Sequence, residues 1–449
     1  MKARRLGVSI VFASVVLTNA ELAMAQITTA TISGTVRDST NGAIPGATVT
    51  LISETRDTRM PEVLTTASGD FVVPNATADT YTIEVTLQGF KTLRRSGIKV
   101  SPGDRAVVSG LTLEVGALSE TITVSAAVSL VQAGSAERSF TVLTESVSNL
   151  PISNRSFVQL ATIAPGVAGT GTNPARLGGG GANNIMMDGI STMDTGSNSV
   201  LLQMNVESIE EVKILTSGYQ AEYGRSSGLQ ISAVTKSGSN RFRGSAYSVM
   251  RNSNWNSNSK VNILNGDPKE VLHEKDLGYS IGGPIGRPGG HNKLFFFYAH
   301  EYAPRTGGGD VVRYRLPTAL ERQGDFSQSV DNNNSPFPYI KDPLINGTCS
   351  AANTTACFQS GGVVGRIPAD RLYQTGVNIL KMYPMPNVTG QPYNYQLTRP
   401  AEKLIAWQPA IRLDYTPMPK LRAIFKYSGW NQKNTTIPGT VPGFNDTRQ

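Results

Sequence analysis

The opening residues decide what the rest of the chain is allowed to become. Lys2, Arg4 and Arg5 precede an uncharged, mostly apolar run from Leu6 to Leu17, and Ala23-Met24-Ala25 supplies a small-x-small pattern. A positive start, a short apolar stretch and a small-residue cleavage site mark a secretion signal, so residues 1–25 are expected to be cut off after Ala25 on export. The apolar run is too short to cross a hydrocarbon layer of ~30 Å as a helix. Past residue 26 no stretch offers the ~20 consecutive apolar residues that a membrane helix needs. An exported chain can still enter a membrane through strands, because a β-barrel leaves almost no hydropathy signal.

Composition narrows the field further. Of 449 residues only 16% are charged, and 45 are glycine, which favours strands joined by polar turns over a helical bundle. The net charge of +8 is spread along the chain without a dense basic run, so it reads as solvated surface, and no nucleic-acid partner is expected. Cys349 and Cys357 lie close together in a polar stretch of an exported chain, where a disulfide is the expected state. A metal pair is the other use of such cysteines, but no histidine lies near them. His273, His291 and His300 lack the spacing of a zinc site. Gly178 to Gly181 lack the Lys-Ser/Thr of a phosphate loop, and no G-x-S-x-G match stands out as a nucleophile elbow. The chain is expected to be no enzyme and to hold no metal and no cofactor.

Residues 27–115 read as a compact β-sandwich. Thr80-Tyr-Thr-Ile-Glu-Val-Thr-Leu87 alternates strictly, with Tyr81, Ile83, Val85 and Leu87 on one face, the pattern of a strand with one dry and one wet side. Ile32 to Val36, Thr48 to Ile52, Phe71 to Val73 and Ala106 to Leu113 are further short strands, separated by Gly-, Asn-, Asp- and Pro-bearing turns. Ile32-Ser-Gly-Thr-Val36, Ile44-Pro-Gly-Ala-Thr-Val49, Ser68-Gly-Asp-Phe71 and Tyr81 to Val85, followed by Gly89-Phe90, resemble the carboxypeptidase regulatory-like domain. The resemblance implies a transthyretin-like sandwich and no peptidase activity.

Residues 116–136 form a linker. Glu120, Thr121, Ile122, Thr123 and Val124 make an extended segment ahead of the small-residue stretch Ala126 to Ala136. The segment is similar to the TonB box of outer-membrane receptors, on which a partner pairs by strand addition. The competing reading makes it the last strand of the sandwich.

Residues 137–236 change character. Asn154-Arg-Ser-Phe157 leads into a short helix predicted over Val158–Ile163, ended by Ala164-Pro-Gly166. A glycine-rich loop, a strand ending Asp188-Gly189, the run Glu210-Glu-Val-Lys-Ile-Leu215, the turn Tyr223-Gly224-Arg225 and a strand ending Thr235-Lys-Ser-Gly238 follow. In this order they resemble the plug domain of TonB-dependent receptors, a small α+β insert in a barrel lumen. Asp188 is expected to bond its own backbone in a tight turn, and Arg225 to form a salt bridge inside the barrel.

Residues 237–449 read as transmembrane strands with long loops. Ala406 to Tyr415 sets Trp407, Ile411, Leu413 and Tyr415 against Gln408, Arg412 and Asp414, and Leu421 to Gly429 repeats the alternation after a Pro-bearing turn. Apolar outside and charged inside is what a barrel wall requires. Asp276–Gly283 and Lys293–His300 form an earlier hairpin, with Phe295 to Tyr298 expected in an interfacial girdle. The segment 303–400, with both cysteines, is expected to be extracellular loops with a few strands. A plugged barrel needs about 22 strands, more than this stretch accommodates, so the chain is expected to be an N-terminal fragment.

The fold expectation is therefore mainly β: an N-terminal transthyretin-like sandwich, an α+β plug and the first strands of an incomplete transmembrane β-barrel. The resemblance implies a cell outer membrane protein with its sandwich in the periplasm. Its partners would be a TonB-type inner-membrane energy complex, outer-membrane lipid and a small-molecule nutrient. Siderophores, carbohydrates, cobalamin-like cofactors and peptides all suit such a receptor. The alternatives are a structural or adhesive surface protein and a secreted sandwich-bearing enzyme.

Overall fold

A computed structural model describes residues 29–117, 120–125, 137–143, 146, 155–169, 174–177, 181–194, 196, 200–202, 204–220, 223, 226–434, 437–438 and 445–446. The expected signal and its cleavage residue Ala25 lie outside them, as do Gly224 and Arg225. The chain divides into two compact units: residues 1–246 with Gly278–Glu301 and Gln408–Trp430, and Tyr247–Leu277 with Tyr302–Trp407 and Asn431–Gln449.

The first unit begins with eight strands: β1 (Thr29–Asp38), β2 (Thr48–Ser53), β3 (Val63–Leu64), β4 (Asp70–Thr77), β5 (Asp79–Thr86), β6 (Thr92–Val100), β7 (Arg105–Leu113) and β8 (Thr121–Ser125). They form two sheets, ordered β4-β1-β7 and β3-β2-β5-β6-β8. Strict alternation on β1 sends Ala30, Ile32 and Val36 inward. There they meet Leu51, Ile83, Val85, Ile98, Val108 and Leu111, all at 1% exposure or less. Each such aliphatic side chain contributes about 1.5–3 kcal/mol by leaving water. The predicted face Tyr81, Ile83 and Val85 is buried, with Leu87 packed at its margin.

Gly34 marks the tightest point of this core. A Cβ there would stand 2.5 Å from the Val108 carbonyl oxygen and 2.9 Å from the Phe71 ring. Gly34→Ala is therefore expected to cost about 1–3 kcal/mol by overpacking, read as a lowered denaturation midpoint with unchanged slope. An unchanged midpoint would show that β1 and β7 can part at no cost.

The second element of this unit is a five-stranded sheet ordered β13-β12-β15-β14-β9. Its strands are β9 (Arg138–Leu143), β12 (Asn184–Met187), β13 (Ile190–Ser191), β14 (Ile209–Ser217) and β15 (Gln230–Thr235). A two-residue pair, β10 (Val167–Ala168) with β11 (Ala175–Arg176), stands apart from it. The predicted helix is present as a 3-10 helix over Phe157–Ile163, in which Phe157, Val158, Leu160 and Ala161 are buried. All six residues of β15 are buried, because both of its faces are covered. One face of the domain core includes Phe297, Ala299 and Ala410, side chains that belong to the wall strands.

Those wall strands are β16 (Arg243–Asn252), β17 (Val271–Pro284), β18 (Leu294–Gly308), β23 (Glu402–Met418) and β24 (Leu421–Ser428), paired in that order. Among the described residues the sheet is open. β17, β18 and β23 run for 14, 15 and 17 residues, well beyond ordinary soluble strands. Their polarity is inverted relative to a soluble sheet: Glu301 and Asp414 are 1% exposed, whereas Phe425 and Tyr427 are 58% and 49% exposed. A hydrocarbon surround explains that inversion. The expected aromatic girdle needs correction, since Phe295 and Phe297 are buried on the inner face and only Phe296 and Tyr298 stay partly exposed. Period-two alternation sends every second residue of an aromatic block inward.

The second unit holds the loops. β19 (Val311–Tyr314) pairs with β22 (Tyr395–Thr398), and β20 (Gln359–Ser360) with β21 (Val363–Val364), while β25 (Asn431–Asn434) lies along β23. Cys349 and Cys357 are joined as a disulfide. Arg371 pairs with Asp342 and lies 4.6 Å from the centroid of the Phe358 ring. Arg313 sits 2.5 Å from Asp267 and 5.3 Å from the centroid of the Tyr393 ring.

Candidate functional site

The plug sheet meets the wall through a polar seam centred on Thr235, the last residue of β15. Asp188 and Gly189 form the two-residue turn between β12 and β13, both with positive φ (48° and 82°), the conformation that Asp-Gly favours in tight hairpins. The sequence leads to the expectation that the Asp188 carboxylate bonds its own backbone, but its partners lie on other strands. It accepts from the Thr235 amide at 3.0 Å and from the Thr235 hydroxyl at 2.7 Å, and Lys426 of the wall lies 3.0 Å away. The turn projects the carboxylate past its own main chain toward β15, so the neighbouring strand captures it.

From the wall, Arg412 donates to the Thr235 carbonyl oxygen at 2.7 Å. The same guanidinium is held by Asp414 at 2.8 and 3.2 Å, and Asp414 accepts a further bond from Arg422 at 2.8 Å. Arg422 in turn donates to Thr77 of the sandwich at 2.6 Å. A second cluster lies at Arg155, whose own backbone is left-handed (φ 47°). Its guanidinium is 3.3 Å from Glu301 of the wall and 3.5 Å from Glu207 of the plug, and Lys236 approaches Glu207 at 3.7 Å. Charges this deeply buried are tolerated only when paired.

The sandwich seats on the plug through equally buried polar groups. Ser101 donates to Glu211 at 2.8 Å, and Lys213 reaches Asp104 at 2.9 Å and Glu137 at 3.7 Å. Burial pushes the Glu211 carboxyl up to about 7, against the pull of the Ser101 hydroxyl and Lys99. Between sandwich, plug and wall lies a cavity of about 1180 Å³, bordered by Arg56, Lys99, Asp188, Glu211, Arg412 and Arg422 among others.

The remaining candidates are placed as follows. Tyr223 is buried, with its ring edge-on to Tyr219 at 6.3 Å, and its carbonyl accepts from Gln230 at 3.1 Å. Thr121, Ile122, Thr123 and Val124 lie in β8, parallel to β6, while Glu120 sits just ahead and pairs with Lys91 at 3.2 Å. Sequence reasoning did not single out Thr235, Glu211, Lys213 or Glu301. Their partners stand far away in the chain, and no local spacing announces them. Among the described residues no cluster of His, Cys, Asp and Glu is arranged to hold a metal ion.

The family model for the outer membrane β-barrel domain matches residues 234–449, and that for the carboxypeptidase regulatory-like domain matches residues 31–114. The TonB-dependent transporter Oar of Myxococcus xanthus is 29% identical over 290 residues, covering 60% of this chain and 26% of that protein. The chain thus spans about a quarter of the length of the curated relative it matches. Solved structures similar to the chain include the siderophore receptor PirA of Acinetobacter baumannii, at 13% identity and a TM-score of 0.36, covering 67% of this chain and 32% of that one. A ferric enterobactin receptor of Pseudomonas aeruginosa gives 14% identity and 0.36, covering 67% and 34%.

Proposed function

We propose that this chain, which belongs to the TonB-dependent receptors of the bacterial outer membrane, carries the plug and first wall strands of a gated uptake route for a small nutrient. The observation that carries this reading is the seam at Thr235. A globular insert is bonded to the inner face of a strand wall by polar contacts, Arg412 to β15 and Lys426 to Asp188. Hydrogen bonds to charged groups exchange for bonds to water at a net change of about 1.5–3 kcal/mol each, so such an insert can shift without unfolding. An apolar seam would resist wetting.

The motive force is proposed to come from an inner-membrane energy complex of the TonB type that captures Glu120 to Val124 by strand addition. β8 is the outermost strand of its sheet, with β6 on one side, so an incoming strand has an edge to meet. The sandwich lies in the periplasm on this reading. The match to a TonB-dependent transporter supports it.

Deleting residues 118–126 from the complete receptor is expected to abolish energy-dependent uptake while leaving its abundance in the outer membrane unchanged. Uptake that survives this deletion, together with lost surface contacts, would instead mark an adhesive protein.

A further inference from the structure

We propose that the N-terminal sandwich is a clasp on the plug: the turn from Ser101 to Asp104, seated on Glu211 and Lys213, holds down the first plug strand and must lift before the plug can move. The inference rests on the reading of the chain as a gated receptor and adds a regulator to it.

The geometry converges on Lys213. It is 2% exposed, and its ammonium faces three groups from two modules: Asp104 at 2.9 Å and the Pro102 carbonyl at 3.4 Å from the sandwich, and Glu137 at 3.7 Å from the plug. Glu137 directly precedes β9, and its side chain is buried. β9 is an edge strand, paired along its length with β14, from Arg138 opposite Ser217 to Leu143 opposite Glu211. Tension arriving from the linker therefore meets Glu137 and the Arg138 end of that ladder first. An edge strand pulled from its end opens one pair at a time. The buried ammonium, tied at once to Glu137 and to the sandwich, stands at the point where that opening would begin.

The seat has further contacts that make it a surface. Ser101 bonds Glu211, Arg105 donates to Gln220 at 2.9 Å, and Arg56 donates to Ser237 at 2.6 Å. The Asn240 amide bonds the Thr55 carbonyl at 2.8 Å. Together they close the sandwich over the cavity that borders the Thr235 seam. A solute released along that seam would emerge beneath the sandwich, so a lifted clasp serves both plug movement and exit.

The test uses the complete receptor in outer-membrane vesicles that expose the periplasmic face. Pro102 is buried in the seat and Thr112 is exposed on β7. The native cysteines are joined to each other, so an introduced thiol is the reporter. Pro102→Cys is expected to react with a bulky maleimide at least tenfold more slowly than Thr112→Cys in the resting receptor. Adding Lys213→Met should bring the two rates within about threefold. Asp104→Asn, a change on the sandwich turn that leaves the plug sequence intact, should do the same if the lysine variant fails to accumulate. Equal rates in the resting receptor, or a slow Pro102→Cys unaffected by either change, would overturn the clasp. Tethering Ser101→Cys to Glu211→Cys by oxidation should then block uptake reversibly. Uptake through the tethered receptor would overturn the need to lift. Loss of uptake in every variant and in the parent speaks against the transport reading alone, because labelling of the resting receptor does not depend on transport.

Discussion

Replacing Asp414 by Ala should release the plug from the wall at far lower denaturant than the parent requires. Asp414 is 1% exposed and accepts from both Arg412 and Arg422. Its removal strands two guanidiniums in a water-poor seam, and breaking a buried ion pair from one side costs about 3–5 kcal/mol. The loss should fall on the plug and its attachment, because the wall strands keep their backbone ladder. In detergent, protease resistance of residues 137–236 should therefore vanish before the strand signal does. Replacing Asp414, Arg412 and Arg422 together by apolar residues should cost much less than Asp414→Ala, since no unpaired charge remains. If Asp414→Ala is as stable as the parent, or the triple variant is the worse of the two, the seam is not held by these charges.

The second large effect is a dependence on pH that Glu211 imposes. Its carboxyl sits at about 7 in the folded protein against 4.5 ordinarily, chiefly because burial disfavours the charged form. The folded chain thus binds this proton more tightly than the unfolded chain does. The contribution is fully present below the ordinary value and is lost as pH rises from there through about 7. Across that window the loss is on the order of 3 kcal/mol. Thermal unfolding of the parent should show a falling midpoint between pH 5 and pH 8. Glu211→Gln keeps an acceptor for Ser101, should be flatter over that range, and should exceed the parent at pH 8. Parallel curves for the two would mean that Glu211 is not buried in solution.

Much of this fold could be read from strand periodicity alone. The alternation at Tyr81, Ile83 and Val85 and the inverted alternation at Arg412 and Asp414 each recur in the structure with the predicted face. β6 was missed for a physical reason. Arg94-Arg95-Ser96-Gly97 interrupts the apolar pattern, Gly97 takes φ 81°, and the ladder to β5 shifts register beside it. The inward charges of β23 were legible as inward, but the sequence suggested water as their surroundings, whereas a plug strand receives Arg412. Spacing reports which face a residue occupies and is silent about what stands opposite it. That is why the partners at Glu301, Lys213 and Thr235 emerged only from the folded chain. Asp188 illustrates the same limit: Asp-Gly announces the turn, while the destination of the carboxylate depends on a strand 47 residues later.

Thr235 has a chemical consequence of its own. Its single hydroxyl proton goes to Asp188, and its oxygen stands 3.3 Å from the Arg412 guanidinium, which also holds the same residue's carbonyl. One oxygen thus serves as messenger between the hairpin tip and the barrel lining. Valine matches the shape of threonine but would remove the hydroxyl's share of both conversations and leave only the main-chain bonds, whereas serine would preserve the whole set. A methyl probe on this residue would sense, in a single resonance, whether the stopper is home.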